Sequence, residues 1–129
     1  MKTITVPVSI GELIDKITIL EIKIERLTDE DKRKRVKHEH HLLMQVLVRH
    51  KIPIHDSPLL QWSKELHDAN KVIWNAEDEL RKCELKHDFG ESFQTAAQNA
   101  FTYNGKRYAI KQAINAYFNS DITEEKQYG

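Results

Sequence analysis

The sequence predicts an all-α protein: an antiparallel helical bundle or paired long helical hairpins, with an extended N-terminal arm and a C-terminal tail. Three observations carry that prediction. Apolar side chains recur at intervals of three and four residues through four segments, the period of helices that each bury a stripe. Gly and Pro number only 4 and 3, too few for the many turns of a sandwich or barrel. Cap-forming residues and short polar connections separate the segments. A chain of 129 residues is expected to form one domain over 1–129, large enough to bury roughly two-thirds of its unfolded surface.

Residues 1–8, "MKTITVPV", read as an extended arm laid over the bundle, because Thr3, Thr5 and Val6 favour extended backbone and Pro7 disfavours helix. Ser9 caps the first helix, and Glu12 three residues later completes a capping box. Ile10, Leu13, Ile17, Leu20, Ile24 and Leu27 form a heptad seam of coiled-coil type. Ile19 and Ile22 point well away from that seam, with Asp15 and Arg26 beside them. A helix apolar on two sides is either central in its own bundle or buried against a second copy, so a homodimer is expected. Thr28 caps a second helix that starts on acidic residues, Asp29, Glu30 and Asp31, and runs to about His50. Val36, Leu43, Met44 and Leu47 give it a weaker apolar face.

"KIPIHDSP" holds two of the prolines and reads as a loop. Ser57 then caps the third helix, with Pro58 at its first position. Leu59, Trp62, Leu66, Ala69, Ile73, Ala76, Leu80, Cys83 and His87 keep an unbroken 3-4 spacing, about eight turns of helix. "KHDFGE" ends it, with Asp88 and Glu91 placed to cap the fourth helix, which runs to near Asn119 with a kink or break at Asn104-Gly105 left open. The tail, "SDITEEKQYG", has no periodicity. Solvated fraying, anchoring by Ile122 and Tyr128 with Glu124 and Glu125 against the fourth helix, and capture by a partner are equally compatible with it.

Composition excludes several functions. Lys plus Arg and Asp plus Glu both number 20, so no net charge draws the chain to nucleic acid or anionic membrane. No apolar run reaches the length of a membrane span. The single cysteine, Cys83, excludes an internal disulfide, and a reducing, cytoplasmic setting is expected. "KHEHH", residues 37–41, offers no i, i+4 His pair and reads as a solvated helix face, so no metal is expected. Glu84-x-x-His87 is half of a di-iron motif without its second half. "DFG" at 88–90 lacks the other segments of a kinase, no dinucleotide or P-loop fingerprint occurs, and no cofactor is implied.

The fourth helix carries the candidate site. Its inward stripe begins Phe93, Ala97, Ala100 and continues Asn104, Arg107, Lys111, Asn115. An apolar face thus becomes a cationic one, and buried charge requires compensation. Beside the third helix's seam runs a row of Asn70, Trp74, Glu77, Arg81 and Glu84, and Glu21 sits at the edge of the first helix's apolar arc. One reading is an internal ion-pair network in which Glu21, Glu77 and Glu84 neutralise Arg107 and Lys111. A second is a partly open groove in which Asn104, Arg107 and Lys111 bind an anionic small molecule, with Trp74 as a stacking wall and Glu77, Arg81 and Glu21 at its edges. A third is a fourth helix broken at Gly105, with the row beside the third helix's seam merely solvated.

The stretch "VPVSIGELIDKITILEIKIER", with "WNAEDELRKCE", "YNGKRYAIKQAIN" and the terminal "EEKQY", resembles a bacterial family of small uncharacterised proteins. That family is marked by an opening S-I-G-E-L-I-D-K block and an E-E-K-x-Y ending, and the resemblance spans nearly the whole chain in the same order. It implies an accessory role in bacterial surface-glycan synthesis. A second likeness joins "LIDKITILEIKIER" to the first helix of chorismate mutases, all-helical dimers that bind a dicarboxylate with Arg and Lys side chains; it implies a contribution from Arg26, Arg107 and Lys111. Two functions follow as expectations: a non-enzymatic binding or scaffold protein with a protein partner, or a small-molecule sensor or enzyme using the Asn104–Lys111 row.

Overall fold

The structure, a computed structural model, describes residues 2–119. Four helices follow one another: α1 (Ile10–Arg26), α2 (Glu30–Arg49), α3 (Leu59–Lys86) and α4 (Glu91–Tyr117). The all-α expectation holds, and α4 runs unbroken through Gly105. The arrangement is two hairpins. α1 is the central element, packed against α2, α3 and α4, while α3 lies along α4 and α2 approaches α1 alone.

Central placement explains the two-sided sequence of α1. Leu13, Ile14, Ile17 and Leu20 are buried on one side, and Gly11, Asp15, Thr18 and Ile22 on another. The second set recurs at 4-3-4 spacing and forms its own helical stripe. Leu13, Ile14 and Ile17 join Leu47 of α2, Leu59 and Leu66 of α3, and Ile114 of α4 in one core. The expected α3 seam is buried along its length at Leu59, Leu66, Ala69, Ile73, Ala76 and Cys83, with Leu59 and Leu66 in this core, while Trp62 and Leu80 are half-buried and His87 is exposed.

The helix ends differ from expectation in instructive ways. The Ser9 hydroxyl accepts the Glu12 amide at 3.1 Å, but the Glu12 carboxylate turns to Lys111 at 2.8 Å. The capping box is therefore half made, because an ammonium in reach outbids a backbone amide for the carboxylate. Asp29, one residue past Thr28, caps α2 by accepting the Lys32 amide at 3.1 Å, and that bond holds the Asp29 carboxyl below its usual range. At α3 no side chain caps: Pro58 occupies the cap position after a cis Ser57–Pro58 bond, and the Leu60 amide goes to the Asp56 carbonyl at 2.9 Å. His87 ends α3 in the left-handed conformation, φ 54°, with the Asp88 amide returning to the Cys83 carbonyl at 2.9 Å. The Asp88 carboxylate accepts from Gly90, not from the first turn of α4. The arm is not laid over the bundle, since Ile4, Val6 and Val8 are all exposed. The residues on which the tail readings rest, Ile122, Glu124, Glu125 and Tyr128, lie outside the described residues.

Candidate functional site

Where α1, α3 and the C-terminal half of α4 meet, the core turns polar. Asp15 lies fully buried on the second stripe of α1. Arg107 grips it with both arms of its fork, Nε to Oδ1 at 2.9 Å and Nη2 to Oδ2 at 2.6 Å. Asn70 of α3 donates its amide to the same Oδ1 at 2.9 Å and to the Thr18 hydroxyl at 2.9 Å. Thr18 in turn donates to the Asp15 backbone carbonyl at 2.7 Å. Lys111, its side chain only 6 % exposed, places Nζ 2.8 Å from Glu12 and 3.9 Å from Asp15. Two carboxylates thus face two cations. A buried carboxylate without such partners would be strongly unfavourable.

The helices must approach closely for this to work, and Gly11 permits it. A Cβ there would sit 2.6 Å from the Lys111 carbonyl oxygen and 2.8 Å from Asn115 Oδ1. That oxygen accepts the Gly11 amide at 2.8 Å, taking up a donor that the first turn of a helix leaves without an intrahelical partner. Asn115 Nδ2 is buried and has no hydrogen-bond partner among the described residues.

The stripe read from the sequence of α4 is therefore brought together: Arg107, Lys111 and Asn115 reach α1, and Asn104 joins them through Arg107. Asn104 donates to the Ala100 carbonyl at 2.9 Å and accepts from Arg107 Nη1 at 3.4 Å. The expected counter-charges are not the ones used, and this corrects the ion-pair reading. Glu21 faces α2, where it meets His40 at 3.3 Å, because six residues at 100° each turn it about 120° around α1 from Asp15. Glu77 is exposed on α3, two turns beyond Asn70 and so about 10 Å along the axis. Glu84 and Arg81 are exposed farther along, with Arg81 paired to Asp78. Trp74 is half-buried one turn after Asn70. Arg26 bonds Asn75 at 2.9 Å, away from Arg107 and Lys111.

The partners that sequence reasoning missed are Asp15, Thr18, Gly11 and Glu12. For three of them the signal was the 4-3-4 recurrence of Gly11, Asp15, Thr18 and Ile22, a second buried stripe in which three of four residues are polar or small; Glu12 lies off that stripe. Elsewhere, His38 and His41 are exposed. Cys83 is buried on the α3 seam, and burial pushes its thiol pKa up, with the Glu79 and Asp88 charges acting in the same direction. No helix among the described residues is long and apolar enough to cross a membrane.

The chain matches a family of unknown function, DUF6165, over residues 4–129, and belongs to it. No curated protein and no solved structure matches it.

Proposed function

We propose that this DUF6165 chain is a non-enzymatic binding or scaffold protein, working as a homodimer, in which the Asp15–Arg107 cluster is a clamp for the fold and not a ligand site. One observation carries the reading. The two cations that would recognise an anion already face two carboxylates, and Arg107 spends its bidentate fork on a fully buried Asp15. An incoming phosphate or carboxylate would have to displace a partner that has no water to retreat into. The sequence resemblance set out above supports a bacterial, cytoplasmic setting and a partner among the enzymes of surface-glycan assembly.

A second reading is favoured by the outer edge of the cluster. The Arg107 side chain is 27 % exposed and that of Glu12 47 %, and on this reading Asn104, Arg107 and Lys111 serve a small anion, as in a sensor or a chorismate-mutase-like enzyme. Thermal unfolding in phosphate, citrate, a nucleotide sugar and prephenate separates the two. A ligand at 100 times its Kd adds about 2.7 kcal/mol to the folded state. The scaffold reading expects no shift with any of the four. A saturable rise that Arg107→Lys removes would overturn it.

A further inference from the structure

The chain is neutral as a whole, with 20 basic and 20 acidic residues, but the balance is uneven. Over residues 32–51 the only carboxylate is Glu39, and Lys16 of α1 takes it at 3.1 Å. Lys32, Lys34, Arg35, Lys37, Arg49 and Lys51 are all exposed on this stretch. None of them forms an ion pair among the described residues. Arg33 alone of the run is used inside the fold, where Nε donates to the Ile24 carbonyl at 3.0 Å and Nη1 to Glu30 at 3.2 Å.

These cations ride on the outermost helix. α2 packs on α1 alone, with Leu47 buried. At 100° per residue the side opposite Leu47 carries Lys34, His38, His41, Gln45 and Arg49, all exposed. Arg35 and Leu42 adjoin this stripe on one side and Val48 on the other, with Leu42 43 % and Val48 76 % exposed. The face is about 25 Å long from Lys32 to Arg49 at 1.5 Å per residue. Like charges three and four residues apart, such as Lys32 with Arg35 and Lys34 with Lys37, weaken a helix. The helix with the least support therefore carries the strongest self-repulsion, and no carboxylate of the described fold offsets it.

We propose that the outer face of α2 docks on an anionic lipid surface, with the helix lying in the plane of the bilayer. Charge complementarity sets the sign of the partner: Lys34, Arg35 and Arg49 meet lipid phosphates, and Lys32 and Lys37 reach them from the edges on their long stems. The aliphatic side chains set its kind. Leu42 and Val48 stand among the cations and enter the boundary between headgroups and acyl chains, which a basic helix on a membrane surface requires. A single-stranded nucleic acid would instead call for stacking rings, and α2 has no Phe, Tyr or Trp. The docking needs no second copy and no protein partner, so it stands apart from the homodimer and scaffold reading. Each Lys or Arg at such a surface strengthens binding about fivefold.

Co-sedimentation of the full chain with vesicles tests this, comparing pure phosphatidylcholine with a mixture holding about one-third phosphatidylglycerol. The expected results are binding to the mixed vesicles at low salt, none to the neutral ones, and release in about 0.5 M salt. Lys34→Glu with Arg35→Glu should weaken binding at least twentyfold, and Leu42→Ser with Val48→Ser about fivefold or more. Helix content by circular dichroism should stay unchanged in both. Lys82→Glu with Lys86→Glu makes the same change of charge on exposed positions of α3 and should leave binding within about twofold. A parent that ignores anionic vesicles overturns the inference and leaves the homodimer and scaffold reading standing. Equal losses from the α2 and α3 charge reversals overturn this face. Binding to a single-stranded RNA that exceeds binding to the vesicles, and that Leu42→Ser with Val48→Ser does not alter, overturns lipid as the occupant.

Discussion

Asp15 has no contact with water to fall back on, so each of its partners matters more than its distance suggests. Removing one member of a buried, hydrogen-bonded ion pair costs about 3–5 kcal/mol, since the other is left charged in a dry site. Asp15→Asn is therefore expected to lower the unfolding free energy by about that amount, read from urea midpoints at constant m-value. Glu12→Gln should cost less than about 1 kcal/mol, because its carboxylate is half in solvent. Equal losses in the two variants would refute the view that burial of Asp15 sets the clamp's strength. Cys83 makes a second prediction at this scale. Its raised pKa keeps the thiol protonated at neutral pH, so a disulfide reagent should modify native protein far more slowly than unfolded protein. The linked stability is fully present below the unfolded-state thiol pKa and declines as pH rises through the folded value. Rapid native labelling at neutral pH would contradict this. The cationic stripe at this site was legible because Arg107 and Lys111 continue an apolar row at four-residue spacing. Its counter-charge was not. Periodicity reports which side of a helix is buried and says nothing of which neighbour covers it, so the sequence pointed to Glu21 on one side of α1 while the carboxylate used, Asp15, lies on another.

Among the elements, α2 is held least. It packs on α1 alone, and Leu47, near its C-terminal end, is its one buried residue. The sequence showed this in the sparse apolar face of Val36, Leu43, Met44 and Leu47, and the sustained 3-4 spacing of α3 showed the opposite. Cap positions were legible to within a residue, as with Asp29 in place of Thr28, because adjacent oxygens compete for the same first-turn amides. Local opening follows contact density, so amides of Glu30–Leu42 are expected to exchange by local opening, with protection well below that of Leu13–Ile22 in α1. Leu47→Ala should remove about 2–5 kcal/mol by leaving a cavity in the shared core, and it should bring the exchange of all of α2 closer to its unprotected rate. Uniform protection across α1 and α2 would mean that the first hairpin opens as one unit.

At the scale of the molecule, the fold is two hairpins joined by a single loop and closed by one interface. α1 supplies Leu13, Ile14 and Ile17 to the apolar part of that interface, and α3 and α4 supply Leu59, Leu66 and Ile114. The polar part is Asp15 against Asn70 and Arg107. The connection between the hairpins, from His50 to Pro58, is exposed at Lys51, Pro53, His55, Asp56 and Ser57, and none of them takes part in these contacts. Fragments 1–54 and 55–129 should then reassemble. Separately, the first exposes the apolar side of α1, and the second retains the α3–α4 pairing but opens the cluster around Arg107. Mixed, they recover both surfaces at the cost of a bimolecular association, with a 1:1 complex on gel filtration and a gain in helical circular dichroism. Asp15→Ala in the first fragment should weaken that complex by at least a hundredfold, about 2.7 kcal/mol, since Arg107 would then lose the carboxylate that its fork holds. If the mixed fragments associate equally well with and without Asp15, the apolar core alone joins the hairpins and the ion pair is incidental to their union.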